Sequence, residues 1–154
     1  MTLRYSYIYH RIALVALILA CWQVSIAQSQ PQSLLQHVIQ ERPVLAGLLT
    51  KAGLAPVLSA DAPVTLLAPP ESELQSLQQE SPERLRAILS NHIILGSYQE
   101  KDMKDGSSIK TIGGTSLTTY RKKDYTLVNG LRIQQSDQQV KNGILHEIIG
   151  VLQI

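Results

Sequence analysis

Phenylalanine occurs nowhere in the chain, and cysteine and tryptophan occur once each, at Cys21 and Trp22. A single thiol forms no intrachain disulfide, so a cystine-stapled scaffold is excluded. Aromatic residues make up only 5% of the sequence, so any core has to be built from aliphatic side chains. Charge is also sparse: 17% of residues are charged and the formal net charge is +2. Long apolar runs are missing too. The longest, Ile12 to Trp22, has eleven residues, short of the roughly 18 to 20 that cross a bilayer. No G-x-S-x-G, G-x-x-x-x-G-K-[ST] or G-x-G-x-x-G pattern is present, which leaves nucleophile elbows, phosphate cradles and dinucleotide turns without a sequence signal.

What is present divides unevenly along the 154 residues. Arg4 and Arg11, the apolar run Ile12 to Trp22 and the small residues Ser25 and Ala27 have the layout of a secretory leader over residues 1–27. Cleavage after Ala27 is the expectation. Ile18-Leu19-Ala20-Cys21 also resembles a lipoprotein box, so a lipid anchor at Cys21 stays open beside it. Either processing predicts a secreted or extracytoplasmic protein, in a periplasm or at a cell surface. Loss of Arg4 and Arg11 lowers the Lys and Arg total from 14 to 12, against 12 Asp and Glu. A neutral domain with no membrane span has no broad electrostatic hold on nucleic acid or anionic membrane.

After a polar lead over residues 28–33, apolar residues at Leu34, Leu35, Val38 and Ile39 predict a helix with Ser33 as its N-cap. Pro43 suits the first turn of a second helix, and Gly53 its end. Val64 to Ala68 reads as a buried strand closed by Pro69-Pro70, and ESELQSLQQ as the following helix. Ser81-Pro82-Glu83 starts another, whose apolar stripe Leu85, Ile88 and Leu89 extends to His92. Beyond Gly96 the periodicity changes. Strands are predicted over Ser108 to Lys110, Ser116 to Arg121, Tyr125 to Val128, Arg132 to Gln134 and Ile144 to Leu152, between turns that include Asn129-Gly130 and Asn142-Gly143. Asn142 and Gly143 are read as tolerating the positive φ of a tight turn. Helices followed by an antiparallel sheet predict an α+β domain over residues 34–154.

Four segments in order carry a family likeness. They are Leu45 to Leu54, Val64 to Pro69 (with Thr65, Ala68 and Pro69), Leu89 to Gly96 (with His92 and Gly96) and Asn142 to Leu152 (with Gly143 and His146). The chain resembles a fasciclin-type adhesion domain over essentially all of residues 34–152. The resemblance implies a wedge-shaped β-sandwich with flanking helices, a secreted or surface location, adhesion to a cell-surface or matrix protein or polysaccharide, and no cofactor. Asn91 stands where the family usually has Tyr before its central His. Gln138 replaces the Ile of an Asp-Ile receptor pair that Asp137 would begin, so an animal-type integrin mode is poorly matched.

His146-Glu147 opens an H-E-x-x-H zinc signature, but position 150 is Gly and the second ligand is missing. Alternation along a strand would also send the two side chains to opposite faces. His146 and His92 are therefore expected to be hydrogen-bonded structural residues. No catalytic or metal-binding residue is assigned. The candidate interaction surface is the hairpin YRKKDY, in which Tyr120 and Tyr125 flank Arg121, Lys122 and Lys123, together with Asp137. The competing reading is an extracytoplasmic carrier of a small apolar ligand.

Overall fold

The computed structural model describes residues 32–153. The leader expected over residues 1–27, the anchor reading at Cys21 and residues 28–31 of the polar lead lie outside the described residues.

Local chemistry sets the helix ends. The Ser33 hydroxyl accepts from the Gln36 N–H while the Gln36 side chain accepts from the Ser33 N–H, a capping box that starts α1 (Leu34–Glu41). Pro43 occupies the first turn of α2 (Pro43–Lys51), and Gly53 follows with φ at +69°. A short helix that periodicity did not reveal, α3 (Ala55–Ser59), precedes β1 (Val64–Ala68). The ESELQSLQQ helix is α-helical only over α4 (Glu71–Leu74) and tightens into a 3-10 helix over Gln75–Gln79. The Ser81 hydroxyl caps α5 (Pro82–Leu89) by accepting from the Arg84 N–H. A 3-10 turn, Ser90–His92, leads into β2 (Ile93–Leu95). The remaining strands are β3 (Ser108–Lys110), β4 (Ser116–Arg121), β5 (Thr126–Val128), β6 (Leu131–Val140) and β7 (Gly143–Ile148).

The strands form one sheet in the order β2-β1-β7-β6-β5-β4-β3. All its neighbours pair antiparallel except β1 and β7, which run parallel from Val64 opposite Gly143 to Ala68 opposite Glu147. No hairpin links these two strands, so no turn dictates their relative direction. The sheet curls until its ends meet, where Ile94 bridges Thr111 and the Ile112 N–H donates to the Ile93 carbonyl at 2.9 Å.

Because β1 has a layer on each face, all five of its residues are buried. Val64, Leu66 and Ala68 face the helices and pack with Leu34, Leu45 and Leu89. Leu67 faces the other way, into a second core inside the curl with Ile94, Leu117, Val128 and Ile148. The helices thus cover one side of the sheet, and the architecture is α+β, as the segment order implies.

Two strand boundaries need correction. β6 continues to Val140 rather than stopping near Gln134, because register slips between Ile133 and Gln135 and between Gln135 and Gln138 break the alternation on which sequence reading depends. β7 ends at Ile148, and Gly150 at φ +111° turns the chain away before Leu152.

The two Asn-Gly pairs also differ. Asn129 and Gly130 have φ of +49° and +86° and close the β5–β6 hairpin. Asn142 and Gly143 have no positive φ, which corrects that part of the reading. The turn itself is present one residue earlier, where Lys141 and Asn142 connect Val140 to its partner Gly143 and feed β7 into the sheet. Asn142 Oδ1 accepts from the Leu34 N–H at 2.7 Å, its Nδ2 donates to the Leu58 and Ala60 carbonyls at 2.9 and 2.6 Å, and its carbonyl accepts from the Val64 N–H. Gly143 is required by proximity, since a Cβ there would run into the Val64 carbonyl oxygen.

Two glycine substitutions should therefore act with opposite signs. Gly143→Ala is expected to lower stability by about 2 to 3 kcal/mol, by forcing β7 off β1. Gly47→Ala, inside α2 with nothing near the new methyl group, should raise it by about 0.5 to 1 kcal/mol. Urea unfolding midpoints of the two variants test this, and a shift of the same sign in both would contradict the close-approach explanation.

Candidate functional site

Alternation along β7 sends His146 and Glu147 to opposite faces. His146 is fully buried, while Glu147 emerges among the helices, where it pairs with Arg42 and accepts from Gln138 Nε2 at 3.1 Å. Burial alone would raise the Glu147 pKa, but the hydrogen bonds from Arg42 and Gln138 and the Arg42 charge hold it below the usual value. The two residues cannot meet on one ligand.

Both His146 ring nitrogens are already engaged. Nδ1 accepts from the Asp137 N–H at 3.1 Å, which places the proton on Nε2, and that group donates to the Tyr98 carbonyl at 2.7 Å. The bonds continue in both directions. The Tyr98 N–H donates to Thr65 Oγ1 at 2.9 Å, and the Thr65 hydroxyl donates to the Gly96 carbonyl at 2.7 Å. On the far side Asp137, held at φ +60° in the β6 bulge, accepts the Glu100 N–H at 2.8 Å, and the Thr126 hydroxyl donates to Glu100 Oε1 at 2.7 Å. Hydrogen bonds from Ser136 and Thr126 lower the Glu100 pKa, and Arg121 adds to the effect through its charge. Thr65, Gly96, His146 and Asp137 thus belong to one polar relay that ties β1 to β6.

His92, 1% exposed, is a second structural histidine. The Leu152 N–H donates to its Nε2 at 3.0 Å, and its Nδ1 proton goes to the Ile88 carbonyl at 3.2 Å. Burial lowers its pKa to about 4, although the Ile88 carbonyl favours the charged form. Its neighbour Asn91 is buried as well, donating to the Ala87 carbonyl at 2.6 Å and accepting from the Thr111 hydroxyl at 3.0 Å. Asn91 therefore helps close the curl. Ala68 and Pro69, the other residues of the early motif, are buried at the end of β1. Among the described residues no three His, Cys, Asp or Glu side chains sit close enough to hold a metal ion.

The exposed aromatics are elsewhere. Tyr120 is 45% and Tyr125 37% exposed, with Lys122 and Lys123 at the tip of the β4–β5 hairpin. Arg121 lies on the opposite face from Tyr120, on the side of Glu100. Asp137 is bound to that same Glu100 segment. The six candidate surface residues therefore separate into an outer group, Tyr120, Lys122, Lys123 and Tyr125, and an inner-side group, Arg121 and Asp137. Sequence reading missed Tyr98 and Glu100 because their partners lie 48 and 37 residues away and are reached through backbone atoms. It also missed Arg132, whose guanidinium carbon sits 4.8 Å above the Tyr125 ring centre.

Comparison with known proteins gives this arrangement relatives. A family model described as Fasciclin domain matches residues 40–154. Pig transforming growth factor-beta-induced protein ig-h3 is 30% identical over 112 residues, covering 68% of this chain and 16% of that protein. Human periostin is 26% identical over 125 residues, 80% of this chain and 15% of the relative. Protein sll1483 of Synechocystis sp. is 27% identical over 117 residues, with coverages of 70% and 64%. The chain thus spans only a small part of the two animal proteins. Among solved structures, a FAS1 domain pair from the insect cell adhesion molecule Fasciclin I superposes with a TM-score of 0.64 at 15% identity, over 80% of this chain and 51% of the other, a likeness of fold.

The buried His92 gives the domain a specific pH response. Above pH 6.5 the ring is neutral in both folded and unfolded chains, and its contribution is complete. Between 6.5 and about 4 only the unfolded chain takes up the proton, so stability should fall by about 1.4 kcal/mol per pH unit. Glu100 and Glu147, with lowered values, lose their contributions only below 4.5. Unfolding of the wild type and His92→Gln across pH 4 to 8 separates these windows. The variant should be flatter between 6.5 and 4.5 and about 1 to 3 kcal/mol less stable at pH 7; parallel profiles would assign the slope to another group.

Proposed function

The chain belongs to the fasciclin domain family, and from that premise we propose that it is a secreted or envelope-held binding module contributing to cell adhesion, matrix or biofilm cohesion through protein or polysaccharide contacts. One observation carries the reading. Both buried histidines are engaged at both ring nitrogens in holding the fold, whereas the tyrosines of the β4–β5 hairpin are left outside with lysines beside them. Chemistry-bearing side chains are spent on structure. Contact-forming side chains face solvent.

The carrier reading is supported by a cleft of about 650 Å³ beside α5, where Ala87, Ile88 and Leu152 supply apolar wall and Arg84 a charge. Native mass spectrometry of the purified protein would reveal a retained apolar ligand there. The cleft lies open to solvent with Glu83, Arg84 and Asn91 at its edge, so an apolar ligand there would be only partly enclosed.

Binding of the protein to the host's own envelope fractions and exopolysaccharide, compared with Tyr120→Ala/Lys122→Ala/Tyr125→Ala, tests the proposal. Saturable binding by the wild type, weakened at least tenfold in a variant with unchanged unfolding midpoint, is the expected result. Absence of binding to every fraction would remove the adhesion-module reading and leave the carrier in its place.

A further inference from the structure

Strand alternation and register place more than the hairpin on the outer face. β4 turns Leu117 and Thr119 inward and Tyr120 outward, β5 turns Thr126 and Val128 inward and Leu127 outward, and β6 turns Ile133 inward and Arg132 outward. Tyr120 is opposite Leu127, and Leu127 is opposite Arg132. Beyond the end of β7, the Ile149 N–H donates to the Arg132 carbonyl at 2.9 Å, and Ile149 is 51% exposed beside the buried Ile148. Tyr120, Leu127, Arg132 and Ile149 therefore form a continuous row across four adjacent chain segments, roughly 14 Å long at the usual strand spacing. Single exposed apolar residues are ordinary on protein surfaces. Here exposed Tyr120 and Ile149 and half-buried Leu127 line up around one arginine, which is a different arrangement.

Charge selects the partner. Stacking on Tyr125 holds the Arg132 guanidinium in place, and among the described residues the ion pairs are Arg42–Glu147 and Arg84–Glu80, so Arg132, Lys122 and Lys123 have no carboxylate of their own. A stacked guanidinium keeps its N–H edges free for the two oxygens of a carboxylate. Asp124 offsets one of the lysines at the hairpin tip. Isoleucine and leucine flanking the arginine suit apolar side chains better than the hydroxyl-covered surface of a sugar, and tyrosine with arginine is the pairing that anchors protein interfaces.

We infer that the outer face of β4, β5 and β6 docks an acidic protein segment that places a carboxylate on Arg132 and apolar side chains along Tyr120, Leu127 and Ile149. The inference rests on the binding-module reading and names its partner class.

Titration of the full-length protein with a random poly(Glu,Tyr) polypeptide, with polygalacturonate as the anionic sugar polymer, tests it. The protein should bind poly(Glu,Tyr) more tightly than polygalacturonate. Arg132→Gln should weaken that binding about tenfold or more, and Arg132→Lys should restore only part of it, because lysine lacks the fork. Arg121→Gln, on the other face, should change it less than about twofold. Equal losses from Arg121→Gln and Arg132→Gln, full rescue by lysine, or tighter binding to polygalacturonate would each overturn the proposal. A protein that ignores poly(Glu,Tyr) yet still binds envelope fractions would sink the acidic partner and keep the module. Failure on both would sink the two together.

Discussion

The distance at which β7 can lie beside β1 governs the rest of the molecule. These two strands separate the helical core from the core inside the curl, and each contributes side chains to both. Gly143 permits the approach at one end, and the Asn142 side chain joins α1, the end of α3 and the chain beyond it at that same point. Helices and sheet are thereby registered by a single asparagine. Without disulfides, and with few aromatic wedges, aliphatic packing supplies cohesion but little directional information. Buried hydrogen bonds supply the direction.

The relay through Thr65, Tyr98, His146, Asp137 and Glu100 serves the same end inside the curl. The Thr65, His146 and Asp137 side chains satisfy backbone groups of Gly96, Tyr98, Glu100 and the bulged Asp137. An unpaired buried group costs about 1 to 3 kcal/mol, so a bulge in β6 is tolerable only because His146 stands opposite it. No buried side-chain polar atom among the described residues lacks a partner.

Local signals were legible in the sequence where a short segment determines its own conformation. Ser33, Pro43, Gly53 and Ser81 announced helix ends, Asn129-Gly130 announced a hairpin, and four apolar residues around Thr65 in Val64 to Ala68 announced a buried strand. Legibility failed where two distant segments decide the outcome. Asn142-Gly143 has the same letters as Asn129-Gly130 but responds to Val64, Leu34 and Leu58, which no local rule consults. The β6 extension was hidden by its bulges, and the parallel β1–β7 pair by the absence of any turn between them. For the candidate surface, Tyr120 and Tyr125 stood out as aromatics among charges. Arg132 and Ile149 did not, since only register across the sheet brings them alongside.

Closure of the curl at Ile94 and Thr111 has a consequence for how such a domain behaves in a crowd of its own kind. The two outermost strands, β2 and β3, are three residues each and meet one another at that bridge. Little unpaired backbone is left to template a strand from another chain. Neighbours at high local density then have few routes to fuse edge to edge into fibres. Any contact between copies has to pass through side chains instead of shared backbone ladders.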